Sequence, residues 1–369
     1  MSALLPRSDV LITGVTGLLG GEILRELAKR DVCEISALVR SKDCLSPRDR
    51  FSQRMERSSD PTDTYSERAI VIEGDVARPK WGLSPHAARY VAERVDTIVH
   101  CAADTSFIND KSVIETNIQG TRYLIDLAKS ARNPPRIVYI STASNVGRVQ
   151  HCCLKEEQGC QATNEHHNSY TKSKAVAETL LRESGLDVLV IRPTIVLSGG
   201  LSDRLFARNI LWFAPLLCEF DALPVNPTAE MDVISSDFMA RGVVELMLSG
   251  DLKHDCYHIS AGHRHGMTTC EAVESMNRFY CRKQPQLIAP EEWTPAEQRR
   301  FVQTREQRKI FHALRYYLPF LNMDVTFDNT RLYQDLGDRV PEFDTFDSYS
   351  DHLLNQIGLN DAIAEMALP

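Results

Sequence analysis

Short apolar runs alternate with amphipathic stretches from the first residues of this chain. Runs that read as strands fall at Asp9–Thr13, Glu34–Val39, Ala69–Glu73, Thr97–His100, Ile137–Ser141 and Val188–Arg192. Between most of them the apolar positions take up the helical period, as over Lys111–Ala131 and Ser173–Glu183. After the first strand, Leu19, Ile23 and Leu27 share one stripe, with Glu22, Arg25, Glu26 and Lys29 elsewhere. Such alternation predicts an α/β fold, a doubly wound parallel sheet with helices on both faces. Ser41–Glu67 is polar and charged and reads as an insertion with one solvated helix.

Beyond Arg192-Pro193 the alternation loosens. Ser198–Pro227 mixes glycine, proline and aromatics and does not read as another strand–helix–strand unit. Asp237–Leu248 returns as a helix, Cys256–Ile259 as a strand, and the tail from Thr269 is mostly helical, with an extended piece at Val325–Phe327. The expected organisation is a first region over 1–195 and a smaller, mostly helical substrate-binding region over 196–369, with elements at about 230–260 returning to the first lobe. No internal repeat or low-complexity tract interrupts it.

Composition narrows the class. A chain of 369 residues can bury a full α/β core and a smaller lobe besides. A net charge of −8 argues against general affinity for nucleic acid or an anionic membrane. The ten cysteines are scattered, and Cys33, Cys101, Cys218 and Cys256 lie in apolar or strand-like stretches, so they read as buried, reduced thiols. Pro6 cuts short any signal-like N-terminus. The most apolar run, Ile210–Leu217, contains Pro215 and meets Glu219, too short to cross a bilayer. The expectation is a soluble, cytoplasmic protein.

Candidate chemistry begins at the first turn, Thr13-Gly14-Val15-Thr16-Gly17-Leu18-Leu19-Gly20. It follows a strand and opens a helix, the context in which a glycine-spaced turn binds a dinucleotide. Gly14 permits the turn, Gly17 lets backbone amides approach a pyrophosphate, and Gly20 lets the helix pack closely on the sheet. Arg40 ends the second strand, where an acidic residue would accept from a ribose 2′-hydroxyl and an arginine suits a 2′-phosphate. That points to NADPH, with Arg50 and, more weakly, Arg48 as further phosphate ligands. Asp75, closing the third strand with Val76 beside it, is either an acceptor for the adenine amino group or a turn cap. Cys101, Ala102 and Ala103 follow the fourth strand and leave room for a cofactor against the backbone. Asn117 reads as a bridge between backbone groups of neighbouring elements.

Thr142, Tyr170 and Lys174 form the sharpest constellation. Tyr170 and Lys174 lie four apart, on one face of a helix, and Thr142 follows a strand end at the same crevice. A free tyrosine ionises near pH ~10, and a neighbouring ammonium with an oxidised nicotinamide is expected to pull that value down. The loop Gln150–His167 offers a metal alternative in His151, Cys152, Cys153, Cys160, His166 and His167, but its cysteines lack paired C-x-x-C spacing. No metal is expected.

Taken together, Thr13-Gly14-x-x-Gly17-x-x-Gly20, Gly74-Asp75, His100-Cys101-Ala102-Ala103, Asn117-Ile-Gln-Gly120-Thr121, Ser141-Thr142-Ala143, Tyr170-x-x-x-Lys174 and Arg192-Pro193 resemble the extended short-chain dehydrogenase/reductase superfamily. Leu38-Val39-Arg40, Val138–Ala143 and Met231–Ala240 are similar to its thioester reductase and fatty acyl-CoA reductase branch, with departures at Ser144 and Val196–Gly200. The resemblance implies a Rossmann-type fold and an NADPH-dependent reductase of an acyl thioester, on coenzyme A or an acyl carrier protein, forming an aldehyde and then an alcohol. It implies Thr142, Tyr170 and Lys174 as the catalytic trio, Tyr170 and Lys174 also touching cofactor, and Pro193 and Thr194 among the cofactor-lining positions. A homodimer paired through the tyrosine–lysine helix fits many relatives. A nucleotide-sugar epimerase or dehydratase, a hydroxysteroid-type dehydrogenase, another extended-family oxidoreductase, and a dinucleotide-sensing regulator without catalysis are the alternatives.

Overall fold

The computed structural model describes residues 8–30, 33–55, 68–107, 109–159, 165–198, 214–217, 219–315 and 317–355. Its centre is one seven-stranded parallel sheet. In chain order the strands are β1 (Ser8–Thr13), β2 (Cys33–Val39), β3 (Ala69–Glu73), β4 (Val95–His100), β5 (Arg136–Ile140), β6 (Val188–Pro193) and β7 (Cys256–Ile259). They lie side by side as β7-β6-β5-β4-β1-β2-β3. Val10, Leu11 and Ile12 are all buried, because a central parallel strand is covered on both faces.

Six helices cover the sheet or its edge: α1 (Leu18–Arg30), α2 (Pro47–Met55), α3 (Pro85–Arg94), α4 (Gly120–Ser130), α5 (Ser169–Arg182) and α6 (Ser236–Leu248). Ile23, Leu24 and Leu27 of α1 share one core with Phe238, Met239 and Val243 of α6. Val91, Leu124, Leu127, Ala177 and Leu181, from α3, α4 and α5, fill the other face. Residues 236–259 thus pack on the main sheet, where β7 runs parallel to β6 with Tyr257 opposite Ile191. A separate core, including Leu197, Leu223, Met231, Met276, Ile310, Leu314 and Leu353, holds the mostly helical remainder. Two short parallel pairings link the regions, Ile195–Leu197 with Val233–Ser235, and Cys152–Leu154 with Val325–Phe327.

Strand order reverses between β1 and β4, so the crevice at their C-terminal ends is where this class of sheet binds ligand. Gly14 stands there at φ +76°, and a side chain on it would come within 2.7 Å of the Ala102 amide. A side chain on Gly20 would meet the Gly14 carbonyl carbon at 2.6 Å, backbone that cannot give way. Gly20→Ala is therefore expected to destabilise the fold by roughly 2–3 kcal/mol and to abolish dinucleotide binding. Thermal melting and NADPH fluorescence titration check both effects.

Two expectations need correction. The helix anticipated over Lys111–Ala131 is broken: a helical turn at Asp110–Val113 and a π-helical turn at Ile114–Gln119 precede α4. Asn117 sits in the π-helical turn and reaches two other elements, and a side chain on Gly120 would come 3.1 Å from the Val76 carbonyl oxygen. The insertion helix α2 is not simply solvated, because Phe51, Arg54 and Met55 are buried. Arg54 lies against α1, donating to Glu22 and to the Gly17 carbonyl. Residues 56–67 of that insertion fall outside the described ones, as do 199–213 of the anticipated substrate-facing stretch.

Among the described residues no helix is long and apolar enough to cross a membrane. The cysteines there are free thiols, but not uniformly buried: Cys256 is, whereas Cys44 and Cys281 are exposed. Cys160, Cys218 and the side chain of Cys33 lie outside the described set.

Candidate active site

The site is assembled from the C-terminal ends of β1, β4 and β5 and the first turns of α1 and α5. Gly17 donates its amide to the Gly14 carbonyl at 2.9 Å and closes the turn. Gly17 itself is exposed, and Thr16, Leu18 and Leu19 are half-buried around it. The first amides of α1 have no carbonyl partner within the helix, so this loop offers donors to a phosphate. The cradle fits a dinucleotide. Thr13 serves the scaffold: its hydroxyl accepts from the Ala102 amide at 3.0 Å and lies 3.1 Å from His100 Nδ1. His100 stacks between Trp81 and Tyr139, and burial lowers its pKa to about 3, so it stays neutral.

Arg40 follows β2, half-exposed, with Nη1 3.8 Å from Asp75 Oδ2; Arg50 donates to the Arg40 carbonyl. Asp75 caps its own turn, accepting from the Ala77 amide at 3.0 Å. Val76 is buried under α4. Asn117 accepts from the Asp104 amide at 2.8 Å and donates to the Asp104 carbonyl and to Ser173 Oγ, both at 2.9 Å. It thereby ties the Cys101–Asp104 segment to α5. Pro193 ends β6, and Thr194 is also engaged, donating to Asp232 Oδ1 at 2.8 Å. Asp232 accepts as well from Ala261, Gly262 and Phe327 amides, and burial pushes its carboxyl up to about 6.

Helix α5 begins earlier than its apolar pattern suggested, because Asn168 caps it by accepting from the Thr171 amide at 2.9 Å. Tyr170 and Lys174 thus occupy its first two turns. Lys174 is buried; its Nζ donates to the Ile140 carbonyl at 2.7 Å and lies 4.8 Å from the centre of the Tyr139 ring. Thr142 follows two residues after Ile140 and caps the turn Ala143–Val146 by accepting from Ser144. The Tyr170 hydroxyl has no hydrogen-bond partner among the described residues.

The chain's own groups do not lower the Tyr170 phenol. Burial raises it, and the nearby Cys101 thiol adds to the effect, while the Lys174 ammonium is committed to Ile140. Burial also lowers Lys174 to about 8, although the Glu178 carboxylate one turn on favours its ammonium. Cys101 itself is pushed up to about 11, again by burial. Tyr170 is thus a protonated phenol at neutral pH, a donor before it is a base.

Several residues at the site were given no role in the sequence reading. Phe107 stands 6.4 Å from Tyr170 between ring centres and packs on Tyr317 and Phe320 at 5.6 and 5.4 Å. Behind Tyr317 and Phe320 lies an apolar chamber lined by Ile195, Leu197, Met231, Val233 and Met276. Glu178 and Arg192 form a fully buried ion pair beneath Thr142. A lone carboxylate on the apolar stripe of α5 and a lone arginine within an apolar strand were the available signals. In the loop considered for metal, His151 pairs with Asp324 at 2.6 Å, and the described residues gather no metal-binding group of three.

A parallel sheet that reverses order at the dinucleotide loop, with a tyrosine and a lysine one turn apart beside the crevice, defines an extended short-chain dehydrogenase/reductase. Residues 12–243 match the NAD-binding family described as male sterility protein, and the chain belongs to that family, in the thioester reductase branch. Its cofactor is a nicotinamide dinucleotide. The chain is similar to adenylate-forming reductase Nps10 of Heterobasidion annosum, with 30% identity over 63% of this chain and 22% of that protein. It is 27% identical to fatty acyl-CoA reductase 1 of Homo sapiens over 51% of this chain and 43% of the relative. The chain spans less than half the length of these relatives. In fold it is similar to the terminal R domain of the myxalamid PKS-NRPS pathway, at TM-score 0.77 and 22% identity, covering 99% of this chain and 92% of that one.

Proposed function

We propose that the protein is an NADPH-dependent reductase of acyl thioesters, borne on coenzyme A or on the phosphopantetheine arm of a carrier protein. The observation that carries this reading is the setting of Tyr170. Its hydroxyl has no hydrogen-bond partner among the described residues, Lys174 follows one turn on along the same helix, and its ring lies 6.4 Å from that of Phe107, which packs on Phe320 at the wall of the apolar chamber. Bound NADPH supplies the hydride. Thr142 and Tyr170 donate hydrogen bonds to the oxygen of the thioester carbonyl as negative charge develops there. Tyr170, kept protonated at neutral pH by its raised pKa, then gives its proton to that oxygen. Lys174 holds the ribose hydroxyls of the nicotinamide half. The resulting hemithioacetal loses thiol to give the aldehyde, and a second round forms the alcohol.

The names of the relatives support the thioester, and the arginine at the end of β2 supports NADPH. Arg40→Leu is expected to raise the KM for NADPH roughly tenfold and leave that for NADH unchanged, the loss of one charge-assisted contact. A cytoplasmic location and a homodimer paired through α5 accompany the reading, the latter open to sedimentation equilibrium. The function is tested by following NADPH and NADH oxidation against acyl-CoAs, acyl carrier proteins, ketones and UDP-sugars, with products identified by mass spectrometry. Thioester consumption with aldehyde or alcohol release is the expected result. Turnover of sugar nucleotides alone would overturn it.

A further inference from the structure

Helix α5 carries a carboxylate that this chemistry leaves unused. Glu178 lies one turn beyond Lys174, fully buried, on a face otherwise formed by Ala175, Ala177 and Leu181. It accepts from Ser141 Oγ at 3.0 Å and Asn145 Nδ2 at 2.7 Å, and from Arg192 Nε and Nη2 at 3.1 and 2.5 Å. Arg182 Nε adds a contact at 3.1 Å, and Arg192 Nη1 donates onward to the Glu156 carbonyl. A buried ion pair gains little stability over apolar residues of the same volume, so this one invites a role in the geometry of the site. Ser141 and Asn145 flank Thr142 on either side, and Asn145 Nδ2 also donates to Ser141 Oγ at 3.2 Å. The carboxylate therefore holds both sides of the turn that carries Thr142, from the helix that carries Tyr170 and Lys174.

We infer that Glu178, itself held by Arg192, is a positioning residue that keeps Thr142 in register with Tyr170 and Lys174. The inference rests on the reductase reading of the site. Charge contributes a second effect at Lys174, which faces Glu178 on its own helix, Cys101 and His100 at the end of β4, and the Tyr139 ring on β5. Of these, the Glu178 carboxylate favours its ammonium.

Two double variants separate the acceptor from the charge. Glu178→Gln with Arg192→Met keeps an oxygen for Ser141 and Asn145; Glu178→Leu with Arg192→Met keeps none. Both remove the buried Arg192 charge together with its carboxylate partner, and Arg182 keeps its pairing with Asp255. The leucine variant is expected to turn over roughly 10–100-fold more slowly than the glutamine variant, at equal KM for NADPH. Both should move the alkaline limb of kcat/KM to lower pH, because Lys174 loses a charge that favours its protonated form. Asn145→Ala leaves the ion pair intact and is expected to lower kcat roughly tenfold at unchanged KM; it decides alone should the leucine variant not fold. Equal kcat in the two double variants, or wild-type kcat in Asn145→Ala, overturns the inference. An active Tyr170→Phe enzyme would instead remove the reductase reading itself. An inactive Tyr170→Phe beside an unimpaired leucine variant removes only the role of Glu178.

Discussion

Tyr170→Phe is expected to lower turnover by roughly 10²–10⁴-fold, the span that a positioned general acid contributes. The fold should tolerate the change well. The lost hydroxyl has no partner among the described residues, and the ring keeps its packing against Phe107. The Kd for NADPH, measured by fluorescence titration, should stay within about twofold of wild type, because the contacts to phosphate and ribose lie on other side chains. Wild-type turnover in this variant would assign the proton to another group. Loss of cofactor affinity in step with turnover would make Tyr170 a binding residue only.

Lys174→Met should separate stability from function. Burial lowers Lys174 from 10.5 to about 8, a difference of about 3 kcal/mol between its charged and neutral forms in the fold. The unfolded chain holds this proton more tightly, so the stabilisation is fully present above pH 10.5, declines as pH falls, and is gone below about 8. At pH 7 the enzyme bears the whole penalty of the buried ammonium. Methionine removes it and gives up the hydrogen bond to Ile140, worth about 1 kcal/mol, for a net gain of about 2 kcal/mol. Melting temperature should rise by roughly 2–4 °C at pH 7, and by less at pH 10. Turnover should nonetheless fall by at least about 100-fold, with weaker NADPH binding, since the ribose contact and the charge beside Tyr170 are both gone. For the wild-type enzyme, cofactor affinity should decline as pH rises through about 8, where the ammonium is lost. Lys174→Arg should flatten that dependence. A less stable Lys174→Met protein at pH 7 would show that the ammonium is better compensated than its burial implies.

The six strands anticipated before residue 195 agree with the structure to within two residues at either end, and so does the strand at Cys256–Ile259. These are short-range patterns: a central parallel strand is apolar throughout, and a glycine turn announces itself by spacing. Where a helix depended on partners elsewhere, local reading fell short. The π-helical turn at Ile114–Gln119 follows from Asn117 reaching Asp104 and Ser173, and the burial of α2 from Phe51 and Arg54 meeting α1. Asp75 caps its turn through the Ala77 amide, one of the two roles read for it. The chain's own groups raise the Tyr170 pKa because burial is a property of all the surrounding atoms, not of the lysine four residues on.

By itself the sequence determined the sheet, the dinucleotide loop, and the spacing that puts Tyr170 and Lys174 on one helix face, since each is written in contiguous residues by the period of strand or helix. Tertiary structure alone decided what those residues face. Glu178 meets Arg192 only because α5 lies over β5 and β6; Thr13 meets Ala102 only because β1 lies beside β4; and the chamber beyond Phe107 exists only because residues 195, 231 and 320 converge. Such contacts join positions many residues apart, and no local period encodes them. They also set the low dielectric that keeps the Tyr170 phenol protonated and brings Lys174 near neutrality.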